Sequence, residues 1–352
     1  MKKITEIILK NEKIFVGLED SKRTWKLCVR NNNMIVFQGS IPAEFENLMQ
    51  FFKNKFPKCL IKVIYEAGFS GFWLHDRLQE KGINCIVTPP NMVTEEKCNK
   101  VKTDKIDARR LAKVLENEDF KACRVPSEER MQHRQLSRTL HQVQKKITST
   151  KNQIRRFFDV HGIITPKGVW SDKTYIELRN IVIHATLQYC LDMYLDMLDL
   201  LRNQKQALTK KLKELAKSPA YNKTVKLYQS TPGIGEFTAI RLALEWGDIS
   251  EFSSGKKFAS YNGLCPSEYS TGDTVKRGGI TKQGNRLARH WLVEAAWTAI
   301  KKDPALLEKF NAVWKSSGKK NVAIVAVARK LAVRLRGLVL SDKPYVLGLI
   351  EG

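Results

Sequence analysis

Between residues 13 and 88 the chain switches repeatedly between two hydrophobic periods, in an order that few architectures accommodate. KIFVGLE (13–19), TWKLCVR (24–30) and MIVFQ (34–38) are short apolar runs with tight polar connections, the second through Asn31-Asn32-Asn33, and they predict three strands. Residues 42–56, PAEFENLMQFFKNKF, then have helical spacing. LIKVIYE (60–66) reads as a buried strand, SGFWLHDRLQEKG (70–82) as a helix and INCIVT (83–88) as another strand. After Pro89 and Pro90 comes a helix holding Asp104 and Asp107.

Three strands followed by alternating helix and strand is the order of an RNase H-like (RuvC-like) α/β domain. A doubly wound nucleotide-binding domain fits less well, because the first strand leads into a hairpin and not into a glycine-rich turn and helix. The middle of the chain differs in kind. Leu136, Leu140, Val143, Ile147, Ile154 and Phe157, with Thr150 in the heptad gap, are answered by Leu191, Tyr194, Leu198, Leu201, Leu208, Leu212 and Leu215, with Lys205 at one core position. Two long helices flanking an irregular 161–180 segment follow, as an antiparallel hairpin, an oligomerising coiled coil or helices packed within one chain. From Thr231 onward come a proline-glycine turn and helix, a polar loop (FASYNGLCPSEYSTGD), a basic loop feeding a helix, and a last helical stretch at 303–340. The expected domains are therefore residues 1–125, α/β; 126–222, an α-helical coiled-coil connector; and 223–352, mainly α.

Charge narrows the partner. Lys and Arg number 61 against 36 Asp and Glu, a net +25 over 352 residues. Spread over folded domains, such an excess predicts a polyanion, with nucleic acid favoured over anionic membrane. No apolar run is long enough to span a bilayer, and Glu6 and Lys10 interrupt the apolar stretch of the opening segment. A cytosolic protein is expected. Seven cysteines without CxxC spacing argue against zinc and against a disulfide framework, so any metal should have the oxygen ligands that suit Mg²⁺ or Mn²⁺.

Such ligands are available. In VKTDKIDARRLAKVL, residues 101–115, Asp104 and Asp107 share one helical face with Ala108, Leu111 and Leu115. A carboxylate on an inward face is costly unless paired or metal-bound. Glu19 closes the first strand with Asp20 beside it, and Glu66 closes the fourth strand. In an RNase H-like sheet those two strand ends are neighbours. The fold would gather four acids into a cluster for one or two Mg²⁺, which neutralise phosphate charge and orient attacking and leaving oxygens. Ordinary pairing with nearby Lys or Arg explains any one acid, but four at fitting positions less well.

GLEDSKRTW, YEAGFSGFWL and VKTDKIDARRLA, followed by TPGIGEFTA, GLCPSEYSTG and GGITKQGNRLARHWLVEAAW, closely resemble the DEDD transposases of the IS110 family, in particular its IS1111 branch. The resemblance covers nearly the whole chain, with the motifs in the family's order. It implies a RuvC-like catalytic domain, a helical connector and a C-terminal transposase domain with a serine nucleophile. It also implies guidance by a bridge RNA from the element's own non-coding end, and assembly as a homo-oligomer, dimer or tetramer. The family tetrad falls on Glu19, Glu66, Asp104 and Asp107. This chain has Glu19 followed by Asp20 where the family usually has Asp, so Glu19 is the favoured ligand and Asp20 is held in reserve.

The same resemblance singles out Ser270, at the Ser-x-Gly position, from a loop that also offers Ser267 and Thr271. No histidine base lies nearby in sequence, so activation would come from metal, from arginines or from groups supplied by folding, and the acid cluster would work on the same phosphate. TPGIG fits either the phosphate-binding turn of a helix-hairpin-helix or an ordinary proline-glycine turn. Lys276, Arg277, Lys282, Arg286 and Arg289, around Gly278, Gly279 and Gly284, suit phosphate contact. Trp291 and Trp297, in a helical setting, suit a core. The resulting reading is an insertion-sequence transposase that binds the element ends and target DNA together with a structured guide RNA. Its rivals are a RuvC-type metal-dependent nuclease, a site-specific DNA invertase and, in another class, a non-enzymatic nucleic-acid-binding protein.

Overall fold

A computed structural model describes residues 12–90, 103–164, 168, 170–271 and 274–348. The chain divides into two compact units, Met1–Val125 and Pro126–Gly352.

In the first unit, β1 (Lys13–Glu19), β2 (Thr24–Asn31) and β3 (Met34–Pro42) form an antiparallel meander, followed by α1 (Phe45–Lys55), β4 (Leu60–Glu66), α2 (Trp73–Glu80), β5 (Asn84–Thr88) and α3 (Asp104–Glu116). The sheet order is β3-β2-β1-β4-β5, with β4 parallel to both β1 and β5. This is the mixed sheet of an RNase H-like domain. The third strand runs to Pro42, four residues beyond the apolar run that marks it in sequence, because Trp25 and Ile41 still pair across β2 and β3. One face of the sheet packs Ile14, Val16 and Leu18 against Leu48, Phe52, Leu74 and Leu78 of α1 and α2. The other face packs Ile64 against Leu111 and Leu115, and Cys28 against Ala108 and Ala112 of α3.

Two devices fix α3. Asn32 and Asn33, both at positive φ (45° and 62°), form the primed turn that matches strand twist between β2 and β3. Glu116, at the end of α3, accepts from the Asn33 N–H at 2.7 Å and from Arg30 Nε at 2.5 Å, tying the helix to that turn. At mid-helix, a Cβ built on Gly17 would lie 2.1 Å from the Ala108 carbonyl and 2.4 Å from the Ala112 nitrogen, so β1 and α3 touch backbone to backbone. Gly17→Ala is expected to force them apart, costing about 1–3 kcal/mol as an overpacked contact. The check is a lowered Tm together with loss of cleavage; unchanged melting would contradict the close approach.

The second unit begins with α4 (Glu128–Val160), α5 (Asp172–Arg179) and α6 (Ala185–Ala216). Leu140 of α4 shares a cluster with Leu212 and Ala216 near the end of α6, whereas Ile154 and Phe158 meet Leu191 and Leu195 near its start, so the two long helices run antiparallel. The 161–180 segment is not irregular throughout. Tyr175 and Leu178 of α5 bury their side chains, the Tyr175 hydroxyl donates to the Leu195 carbonyl at 2.8 Å, and Arg179 pairs with Asp196 and Asp199. A helix of eight residues leaves too short a period to read without its partner.

The rest is α7 (Asn222–Gln229), α8 (Glu236–Trp246), α9 (Gly255–Tyr261), β6 (Pro266–Thr271), β7 (Thr274–Ile280), α10 (Arg286–Ala299), α11 (Pro304–Ser317) and α12 (Lys320–Ser341). Their apolar faces share one core with Leu140, Leu212 and Ala216, so the ends of α4 and α6 belong to the same folded body as α7–α12. The stretch expected as polar and basic loops instead forms an antiparallel two-stranded hairpin, β6–β7. Thr271, Thr274 and Val275 are β-branched, and cross-strand pairing satisfies backbone groups that the polar composition alone does not assign.

Candidate active site

The parallel pairing of β1 with β4 matches Leu18 to Tyr65, which places Glu19 and Glu66 side by side at the carboxyl ends of two central strands. Helix α3 runs antiparallel to β1. Its last residue, Glu116, lies by Arg30 near the start of β1, and Ala108 and Ala112 lie over Gly17. Its first turn, with Asp104 and Asp107, is therefore carried to the end of β1 where Glu19 sits. Thr103 caps that turn by accepting from the Ile106 N–H at 3.4 Å. Sheet pairing thus sets Glu19 beside Glu66, and α3 begins toward the same end of β1.

The inward face expected of α3 is only partly realised. Ala108, Leu111 and Leu115 are buried and the Asp107 side chain is 12% exposed, but Asp104 is exposed. The first turn is held to the sheet through its backbone, the Gln38 side-chain amide of β3 donating to the Lys105 carbonyl at 3.1 Å, while the Asp104 side chain faces outward. Asp107 meets Arg110 at 3.4 Å. Among the described residues, no group of three or more His, Cys, Asp or Glu is close enough to hold a metal ion. The donor chemistry, all carboxylate oxygen, suits a hard dication, while the side chains are not drawn to ligating distance.

Asp20 is committed elsewhere. One of its oxygens accepts from the Trp25 indole N–H at 2.9 Å and the other from the Ser70 hydroxyl, which ties the end of β1 to the loop after β4. Sequence reasoning noticed Asp20 but not this role. Ser70 in YEAGFSGFW gave the only signal.

In the second unit, Ser270 lies in β6 opposite Val275 of β7. The side chains of Ser270, Lys276 and Arg277 lie outside the described residues. Ser267 donates to the Gly279 carbonyl at 3.0 Å, a cross-strand bond that occupies its hydroxyl within the hairpin. Lys282 and Arg286 are exposed. Arg289 is directed inward, donating to the Asn262 carbonyl at 3.0 Å, and burial together with the Arg286 charge pushes its pKa below the usual arginine range. The TPGIG turn joins α7 to α8. Gly233 there has φ +86°, and a Cβ on it would lie 2.3 Å from the Ala295 carbonyl, so the turn is wedged against α10. Trp291 is buried beneath the Arg241 guanidinium, 4.0 Å from its ring centroid, and Trp297 packs on Phe310, so both tryptophans serve the core.

A DEDD transposase domain of the IS110 type matches residues 16–162, and the domain described as "Transposase IS116/IS110/IS902 family" matches residues 225–311. The chain belongs to this family of insertion-sequence transposases. It is 25% identical over 334 residues to the transposase for insertion sequence element IS1533 of Leptospira borgpetersenii, covering 92% of this chain and 94% of that one. It is 24% identical over 273 residues to the transposase for element IS1111A of Coxiella burnetii, covering 75% of this chain and 73% of that one. A third relative, the pilin gene-inverting protein of Moraxella bovis, is 31% identical over 131 residues, covering 36% of this chain and 40% of that one. DEDD transposase domains are generally dependent on divalent metal, and the enzyme class is that of DNA cutting and rejoining. Among the described residues no helix is long and apolar enough to cross a membrane.

Sequence reading missed one polar centre of this transposase. Glu245 of α8 has a fully buried side chain and is held by Arg134 at 2.9 Å, by Arg138 at 3.0 and 3.1 Å, and by Asn285 at 2.9 Å. Burial alone would raise its pKa, but hydrogen bonds and charge from Arg138, Arg134 and Asn285 hold it below the usual glutamate value. The sequence did contain a signal. EFTAIRLALEW is a helix whose stretch after Thr238 is apolar except for Arg241 and Glu245, one turn apart, and the facing helix carries Arg134 and Arg138 at the same spacing.

Proposed function

We propose that the transposase cuts and rejoins DNA by attack of Ser270 on a phosphodiester, with Glu19, Glu66, Asp104 and Asp107 as the metal-binding tetrad, directed by a structured guide RNA. The observation that carries the acidic half is the meeting of two strand ends and a helix start at one edge, from residues 88 positions apart in sequence at the extremes (Glu19 to Asp107). Bound Mg²⁺, or Mn²⁺, would supply charge neutralisation on the phosphate and alignment of the entering and leaving oxygens. Asp20, with both oxygens already engaged by Trp25 and Ser70, serves to hold Glu19 at the strand end and is a poorer ligand than its neighbour.

The serine step is an exchange of esters. The Ser270 oxygen bonds to phosphorus and gives up its proton, the bond from phosphorus to one strand end breaks, and the departing oxygen takes a proton. The energy of the original ester is kept in the phosphoserine link, so a hydroxyl of a different strand end can reverse the step and rejoin. Among the two serines in that strand, Ser270 is favoured because the Ser267 hydroxyl already serves the hairpin. Lys276, Arg277, Lys282 and Arg286 would contact DNA or RNA phosphates, and oligomerisation as a dimer or tetramer would bring together the element ends and the target. Work on cellular DNA would put the protein in the bacterial cytosol with the nucleoid. The relative that inverts a pilin gene favours one variant of this reading, inversion, which is the same chemistry with both exchange sites on one DNA molecule.

RNA guidance rests on the resemblance to the family and on the +25 charge, which suits a polyanionic partner. Purification of the full chain from cells carrying its element, followed by sequencing of the bound RNA, is expected to return one structured transcript from the element's own flank. Recovery of only mixed cellular RNA would sink the guidance claim while leaving the strand chemistry standing.

A further inference from the structure

A cleft of about 470 Å³ opens in the second unit between α4 and the start of α10, lined by Arg138, His141, Lys145, Tyr261 and Arg286 among others, with no acid among its described lining residues. Arg134, Arg138, His141 and Lys145 follow spacings of four, three and four and so share one face of α4. Like charges one turn apart destabilise a helix, so the stripe is unfavourable unless something anionic meets it. Glu245 does so only in part. Its single charge is taken by Arg134 and Arg138 together, leaving that pair with a surplus, and Lys145 and Arg286 add to it.

Other groups point the same way. His141 is pushed below its ordinary value by burial and by the charges of Lys145, Arg241, His290 and Arg286, so five cationic or protonatable groups from α4, α8 and α10 crowd one region. Arg241 is buried, and desolvation lowers it to about 10. The start of α10 adds the positive end of its dipole. Asn285 caps it at the Ala288 N–H, 3.0 Å, and the preceding positions, Arg286 and Leu287, both line the cleft. Gly284, at φ +127°, lets this segment approach the Tyr261 carbonyl so closely that a Cβ would stand 2.2 Å from it. The cationic wall is therefore built from α4 and the start of α10, with Tyr261 of α9 beside them and Arg241 buried behind.

We propose that this cleft binds a phosphodiester of the nucleic-acid backbone at a point away from the bond being cut. The proposal rests on the reading of the protein as a transposase that grips nucleic acid, and adds a site on it. The cleft lies at the root of the β6–β7 hairpin, where Asn285 N–H bonds the Tyr261 carbonyl at 2.9 Å and Thr281 N–H bonds the Cys265 carbonyl at 2.8 Å. Ser270 is four residues further along β6 than Pro266, or roughly 13 Å at the rise of a strand. A phosphate held in the cleft is thus a different one from the phosphate that Ser270 attacks. Its binding would fix the register of a strand laid along the hairpin, a positioning contact without base readout.

The test compares Lys145→Ala with Lys146→Ala in the full chain. Both residues are exposed neighbours on α4, but only Lys145 lines the cleft. Binding of a fluorescent duplex DNA and of a fluorescent RNA hairpin is followed by anisotropy between about 50 and 200 mM salt. Lys145→Ala is expected to make the slope of log K against log salt shallower by about 0.9 on duplex or about 0.7 on single-stranded segments. The probe showing the change identifies the occupant as DNA or RNA. Lys146→Ala should leave the slope unchanged, Lys145→Arg should restore it, and all three variants should melt with the wild type. An unchanged slope for Lys145→Ala, or equal changes for both alanine variants, would reduce the cleft to part of a diffuse basic field and overturn the proposal. Failure of the wild type to bind either probe would sink the reading that this protein grips nucleic acid through its basic surface, and this site with it.

Discussion

Asp107→Asn is expected to abolish strand cleavage while leaving nucleic-acid binding intact or stronger. The substitution keeps shape and removes one negative charge at the edge where β1, β4 and α3 converge. If that carboxylate is a metal ligand, its loss removes charge stabilisation aimed at the reacting phosphate, and the cost is on the order of 10²-fold or more in cleavage rate. The competing reading makes Asp107 a structural acid, complementing the dipole of α3 and pairing with Arg110 at 3.4 Å. That role is small. An i,i+3 pair of this kind contributes about 0.2–0.5 kcal/mol, and asparagine retains the hydrogen-bonding capacity of the helix start. Melting should therefore move little while cleavage is lost. Full activity in the variant would refute the acid-edge assignment, and a large fall in Tm would show that the residue acts on the fold. Binding should not weaken, because the exposed cations of the second unit, Lys282 and Arg286, are untouched.

Why this edge was legible in the sequence, and other parts were not, follows from the range of the interactions involved. β1 and β4 are buried central strands, each an almost continuous apolar run closed by a glutamate, and the observed limits of both coincide with those runs. The parallel pairing that makes Glu19 and Glu66 neighbours follows from the order of elements. The exposure of Asp104 does not, because it depends on how α3 is rotated about its axis, which the backbone contact at Gly17 and the Gln38–Lys105 bond set. The β6–β7 hairpin and α5 were missed for a related reason. Their residues are polar, and their order comes from cross-strand pairing and from Tyr175 and Leu178 docking on α6, contacts without local periodicity. Arg289 was read as a phosphate contact from its place in a basic run, but Asn262 is too distant in sequence to reveal that the guanidinium is committed to its carbonyl.

The serine is the part of the site that sequence pattern alone would not single out, and its prediction separates the two enzymatic readings most sharply. Wild-type protein, given guide RNA, Mg²⁺ and a DNA substrate nicked near the cleavage site, should accumulate a denaturant-resistant protein–DNA adduct. The nick lets the released fragment diffuse away, so that rejoining cannot erase the intermediate. Peptide mapping should place the adduct on GLCPSEYSTG, in the strand Pro266–Thr271. Ser270→Ala should yield none and should lose cleavage by several orders of magnitude, the scale seen when an activated nucleophile is removed. It should still bind RNA and DNA with the wild-type salt slope, since alanine removes no cation. A metal-activated water, as in a RuvC-type nuclease, leaves no ester on the protein, so cleavage that persists in Ser270→Ala would assign the attack to water. An adduct mapping to Ser267 would carry a different lesson. The Ser267 hydroxyl would then have to leave its bond to the Gly279 carbonyl before attacking, and the hairpin would have to open for the reaction to begin.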